Sequence, residues 1–205
     1  MDAATLERTG TDRQEILLYA LAALLAVALA FGLWTEKVPR SLPSLGPIPE
    51  FSLTDTQGKK FTLDDLKGKV WLADFMYVHC ATECPVMTHV MKKIQDQWKD
   101  KGVYFVSFTM DPRDTPAELA QYAKDYGADT ESWSFLTGNY DDVTRLARNG
   151  FKLPGKGGAT ADFIHSVRFT LVDKRGNIRG YYNSEDDESL KTLDKDLEVL
   201  LAEKT

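Results

Sequence analysis

The chain has 205 residues, and its 31 acidic against 25 basic side chains leave a net charge of −6. That balance excludes a nucleic-acid binder of the usual basic kind, which needs cationic surface to neutralise phosphates. With 43% hydrophobic and 27% charged residues the composition is that of a folded globular protein, and its two cysteines are too few and too close together to staple a disulfide scaffold.

The amino end reads as a membrane segment. From Ile16 to Thr35 no charged residue occurs, and a helix of that length spans roughly 30 Å, the thickness of a bilayer core. The run is longer than a signal-peptide core, so a single transmembrane anchor over 16–35 is expected in preference to a cleaved leader, although Ala28-Leu29-Ala30 imitates a cleavage site. Arg8 and Arg13 on one side are matched by Lys37 and Arg40 on the other, so positive charge does not orient the span. A long carboxyl-terminal tail translocates largely regardless of charge. The acidic Asp2, Glu7, Asp12 and Glu15 argue against an organelle-import peptide. The expectation is a bacterial inner-membrane protein with residues 1–15 in the cytoplasm, a linker over 36–45 and a periplasmic domain over 46–205. The proline-rich stretch 38–49 favours extended backbone and so a semi-rigid spacer.

Within the domain, Phe51-Ser52-Leu53 and Phe61-Thr62-Leu63 flank Asp55-Thr56-Gln57-Gly58 and predict a β-hairpin. Val70–Val78 is almost wholly apolar and predicts a central buried strand. A helix over Pro85–Trp98 follows, with Val86, Val90, Ile94 and Trp98 along one face. Val103–Thr109 is a second buried strand. Thr115-Pro116-Ala117-Glu118 is a capping box opening a helix that Gly127 closes. A strand at Trp133–Leu136, a helix over Tyr140–Asn149, strands at Phe163–Val172 and Ile178–Tyr182, and a helix over Glu188–Glu203 complete the order. Strands alternating with helices, then a hairpin and a last helix, describe an α/β fold with a mixed sheet covered on both faces.

The chemistry concentrates in Cys80-Ala81-Thr82-Glu83-Cys84-Pro85, at the carboxyl end of the first buried strand and the start of the next helix, where open α/β sheets place their sites. Amides at a helix amino terminus stabilise a thiolate, so at least one sulfur is expected to be more acidic than a free cysteine. A spacing of four lets both sulfurs face a common ion. Of the three histidines, His165, in Asp162-Phe163-Ile164-His165-Ser166 beyond a glycine-bearing loop, is the best third ligand. Two thiolates and an imidazole form a soft, low-coordinate set suited to Cu(I) and able to hold oxidised copper as well. His79 and His89 read as surface or packing residues. A zinc site built from Cys80, Cys84, His89 and His165 is the weaker alternative, lacking a closely spaced histidine pair. Gly150–Lys156 imitates part of a phosphate-binding loop but has Gly157 where a hydroxyl is needed and no helix after it. Asp111-Pro112-Arg113-Asp114 reads as a functional loop or as a simple capped turn.

Taken together, the segments Phe75–Pro85, Phe105–Thr115 and Asp162–Ser166 resemble the SCO/SenC copper proteins over about residues 46–203. The resemblance implies a thioredoxin-like fold behind an amino-terminal anchor, and copper held by Cys80, Cys84 and His165. It also implies a role in assembling the binuclear copper site of cytochrome c oxidase. Its copper-site subunit would be the partner, with other copper chaperones or thiol reductants as further ones. Ala81 and Ile164 depart from residues frequent in the family. Two function classes remain. In one the chain is a metallochaperone, not an enzyme, whose Cys80–Cys84 disulfide would switch binding off. In the other the same redox pair reduces disulfides of envelope proteins.

Overall fold

The computed structural model describes residues 15–29, 41–80, 83–153 and 167–203. They fall in two compact units, Met1–Arg40 and Ser41–Thr205. In the first, residues 15–29 form helix α1, whose Ile16, Leu17, Leu21 and Leu24 are exposed. Among the described residues no helix is long and apolar enough to cross a membrane. Residues 30–35 of the expected span lie outside them.

The second unit opens with the expected hairpin, β1 (Ser52–Thr54) against β2 (Lys60–Thr62), as a separate two-stranded antiparallel sheet. Asp55 shapes its turn, Oδ1 accepting the backbone N–H of Gln57 and Lys59 at 2.8 Å each. The main sheet contains β3 (Val70–Met76), β4 (Val103–Thr109), β5 (Trp133–Leu136), β6 (Arg168–Val172) and β7 (Ile178–Asn183) in the order β5-β4-β3-β6-β7. β3, β4 and β5 are mutually parallel, whereas β6 and β7 form an antiparallel hairpin added beside β3. Helices α2 (Glu83–Trp98), α3 (Pro116–Asp125), α4 (Tyr140–Arg145) and α5 (Asp187–Ala202) connect and cover it.

Every residue of β3 is buried, because alternate side chains enter two different cores. Val70, Leu72 and Met76 meet Met87 and Met91 of α2, Leu119 of α3 and Leu193 and Leu197 of α5. Trp71, Ala73 and Phe75 meet Leu53 and Phe61 of the hairpin and Val143 near the other face of the sheet. Phe151 fills the second core, edge-on to Trp71 and Phe75 at 5.9 and 5.0 Å between ring centres. Gly150, the residue that imitates a phosphate loop, is small for a packing reason: a β-carbon there would come within 2.9 Å of Pro49.

Three expectations shift, and a fourth lies partly outside the described residues. β3 stops at Met76 rather than Val78, because the chain turns at once, the Cys80 N–H reaching the Tyr77 carbonyl at 3.3 Å. The buried stripe of α2 runs through Cys84, Met87, Thr88, Met91, Ile94, Gln95 and Trp98, while Val86 is 53% exposed. The expected valine face was displaced because Thr88 and Gln95 look solvent-facing in sequence yet are buried with partners, Tyr122 Oη at 2.7 Å and the Asp129 carbonyl at 2.8 Å. The helix from Tyr140 is α-helical only to Arg145 and continues as a wider π turn, Leu146–Gly150. The sixth strand is described from Arg168, the residues of its expected start at 163–166 lying outside the described set.

The chain before the hairpin is docked rather than free. Leu42 and Ile48 are buried, and the backbone of Leu45, Gly46 and Ile48 exchanges hydrogen bonds of 2.8–2.9 Å with Ile178 and Gly176, covering the outer edge of β7. Arg179, 9% exposed, fastens this segment: its guanidinium donates to the carbonyls of Leu42 at 2.7 Å and Pro43 at 3.1 Å, to Asp173 Oδ2 at 3.0 Å and to both Glu203 oxygens at 2.7 and 2.8 Å. The compact unit therefore includes Ser41 onward, and much of the proline-rich stretch belongs to the domain's surface.

Candidate metal centre

The parallel strands β3 and β4 end side by side at Met76 and Thr109. Beyond Met76 a four-residue turn, Tyr77–Cys80, leads toward α2, which opens at Glu83 and carries Cys84 in its first turn. Cys80 is half-buried, Cys84 is 3% exposed, and both are reduced, with no disulfide between them. The two sulfurs meet. Burial pushes the Cys84 thiol up to about 12, and its S–H donating to Cys80 adds to the rise, against which the Tyr77 backbone N–H works weakly in the other direction. Acidity from the helix terminus is therefore overridden at Cys84 by its burial, and the expected acidified sulfur is not this one.

Polar groups that the sequence pattern did not single out surround the pair. Asp74, 1% exposed on β3, has no hydrogen bond of ordinary geometry to either carboxylate oxygen among the described residues, and burial raises it to about 7, the Ser107 hydroxyl opposite offsetting only part of the cost. Its charge is felt at Cys84 and at Tyr122. The Tyr77 phenol is pushed up to about 12, by burial first and then by Tyr140, Cys84, Asp111 and Cys80. The signal for Asp74 was available: an acidic residue within an otherwise apolar run that both faces of the sheet bury.

The remaining candidates separate. His79 is exposed, with Nε2 3.7 Å from Glu118 Oε1. His89 Nδ1 lies 2.8 Å from the Pro85 carbonyl and its ring stands edge-on to Tyr126. Among the described residues no group of three or more Cys, His, Asp or Glu is arranged to hold a metal ion, so Cys80, Cys84 and His89 do not converge and the zinc alternative loses its fourth member. His165, Ala81 and Ile164 lie outside the described residues. Asp111 is engaged by Arg113, whose Nη2 lies 2.7 Å from Oδ2 and whose hydrogen bonds hold the carboxyl below its ordinary range. What the described site offers a ligand is a soft dithiol at the carboxyl edge of the sheet, a donor set that fits copper.

A family model for SCO1/SenC matches residues 45–200. The chain belongs to the SCO1/SenC family. The SCO1 protein homolog of Bacillus subtilis is 36% identical over 141 residues, covering 66% of this chain and 73% of that protein. The structure of BsSco, a Sco-family cytochrome c oxidase assembly protein with an identified disulfide switch, matches at a TM-score of 0.70 and 30% identity, covering 80% of this chain and all of the other. Yeast Sco1 with copper bound matches at a TM-score of 0.62 and 26% identity over 80% of this chain and 97% of that one. A thiol-disulfide oxidoreductase, ResA of Bacillus anthracis, is 28% identical over 112 residues, 55% of this chain and 62% of that one. The thioredoxin-like mixed sheet flanked by helices, with its hairpin in front, is thus the SCO1/SenC fold.

Proposed function

We propose that this SCO1/SenC protein is a copper-binding protein that delivers copper to, or helps assemble, the binuclear copper site of cytochrome c oxidase. The observation that carries the reading is the contact between the reduced thiols of Cys80 and Cys84 at the carboxyl edge of the sheet. It is supported by relatives that include copper-bound Sco1 and an oxidase assembly protein. Copper is the cargo, taken as Cu(I) or Cu(II) by Cys80, Cys84 and His165. Both thiols must lose their protons to bind it, so loading releases protons, the buried Cys84 above all. Half-buried Cys80 leaves one side of the pair open for ligand exchange with the recipient subunit.

The chain is anchored through residues 16–35 in a bacterial inner membrane with its domain in the periplasm, a reading supported by the exposed apolar side chains of α1. Resistance of the full chain to alkaline extraction from membranes checks it, and release into the soluble fraction overturns it.

The thiol contact and the ResA relative favour one second reading, reduction of envelope disulfides. There Cys80 as thiolate attacks a substrate disulfide and releases one substrate thiolate. Cys84, deprotonated, then attacks the mixed disulfide and releases the other, leaving the chain oxidised by two electrons as a Cys80–Cys84 disulfide. Anaerobic Cu(I) titration of the reduced chain with competing zinc, followed by copper X-ray absorption, separates the two. About one copper per chain with two sulfurs in its shell is expected; a stoichiometry near zero leaves only the reductase.

A further inference from the structure

We propose that Asp114 is a positioning residue for Cys80, its buried carboxylate fixing the turn that presents the thiol. The inference rests on Cys80 and Cys84 being the working dithiol. The β3–β4 ladder closes with Met76 opposite Thr109, and the Met110 N–H still reaches the Met76 carbonyl at 2.9 Å. After that the two chains part, Tyr77–Cys80 turning toward α2 and Asp111–Asp114 turning toward α3. The next N–H on the β3 side, that of Val78, has lost its strand partner, and a backbone donor partly shielded from water needs another. Asp114 Oδ2 supplies it at 3.1 Å.

The same oxygen accepts the Thr109 hydroxyl, which fixes the carboxylate at the end of β4. The Asp114 carbonyl accepts the Thr137 hydroxyl at 2.9 Å, just after β5. One residue, 2% exposed, therefore ties together the ends of three adjacent strands. Val78 is the second residue of the turn that the Cys80 N–H closes on Tyr77. With Val78 anchored at one end and Cys80 bonded across, the backbone carrying the half-buried sulfur has little freedom. Without the Val78 anchor the turn loses its tie to the ends of β4 and β5. Asp114 Oδ1 is buried with no hydrogen-bond partner among the described residues, so the side chain sits at a cost that packing alone does not explain.

The test uses the full chain and three readouts: the alkylation rate of Cys80, the midpoint potential of the Cys80–Cys84 pair, and Cu(I) affinity by competition. Asp114→Ala is expected to change the alkylation rate and weaken Cu(I) binding by about tenfold or more, the scale of losing a residue that orients a metal ligand. Asp114→Asn, whose amide oxygen accepts the same two donors, should restore both to within about threefold of the native chain. Thr137→Val breaks the bond on the other side of Asp114 and lowers stability, yet should leave rate and potential as they are. Native behaviour in Asp114→Ala, or equal shifts in Thr137→Val, overturns the proposal. If Asp114→Ala does not fold, Thr109→Val carries the test by releasing the carboxylate, and an unchanged thiol in that variant is likewise fatal. A native chain that takes up no copper while its Cys80 reactivity still follows Asp114 overturns the copper reading and leaves this one standing.

Discussion

The two ends of β3 treat buried charge in opposite ways. Where the strand begins, Asp173 is almost fully buried and fully answered: Oδ1 accepts the backbone N–H of Arg175 and Asn177 at 2.9 Å, and Oδ2 meets Arg179, which also grips Glu203. Toward the other end Asp74 is buried with no such partner among the described residues, beside a dithiol whose inner sulfur is itself pushed up by burial. The first arrangement holds chain segments together, since breaking any member leaves a desolvated charge behind. The second leaves groups whose protonation responds to what the neighbouring sulfurs do. Satisfied polar clusters mark the scaffold, and unsatisfied ones beside nucleophiles mark the chemistry.

The sharpest way to break this contrast is at the sulfurs. Cys80→Ala or Cys84→Ala should each lower Cu(I) affinity by more than ~100-fold, beyond the loss expected of any supporting residue, with the fold kept by circular dichroism. At the opposite end Arg179→Met should lower unfolding free energy in urea by about 3–5 kcal/mol while the potential of the cysteine pair stays where it was. A shift of that potential would join the two ends into one system.

Asp74→Asn sharpens the comparison through pH. The folded-state value of about 7 lies above the ordinary 3.8, so the folded protein holds a proton that the unfolded chain has released between those limits. The stability this confers is complete below pH 3.8 and is lost as pH rises through about 7. The native chain should lose on the order of 4 kcal/mol across that window. The amide variant should have a flatter profile and greater stability at pH 8. An identical slope in both proteins would show that Asp74 is ionised at little cost. The smallest effect is expected at the other histidines: His79→Ala and His89→Ala should leave Cu(I) affinity within about twofold of native, as surface substitutions do.

Much of this was legible in the residues. Apolar runs gave the buried strands, Thr115 and Glu118 gave a helix start confirmed by reciprocal bonds, and Glu118 Oε2 indeed accepts the Thr115 N–H at 2.7 Å. The cysteines fell where a strand hands over to a helix. What could not be read depended on contacts between distant segments. Thr88 and Gln95 carry no mark of burial, because their partners lie on α3 and the loop before β5. Leu42 and Ile48 looked like parts of a spacer, because an edge strand that would receive them is formed by residues more than a hundred positions later. Asp114 looked like a turn residue, and its hold on Val78 exists only once β3 and β4 lie side by side.

The Arg179 clasp has a mechanical consequence. A pull on the backbone at Ser41 would load a row of short bonds on the flank of β7 and the guanidinium that rivets Leu42 and Pro43 to the sheet. That strain is borne at the pole farthest along β3 from the sulfurs. A load entering at Ser41 is thus taken up at the opposite end of β3 from the turn and helix that carry Cys80 and Cys84.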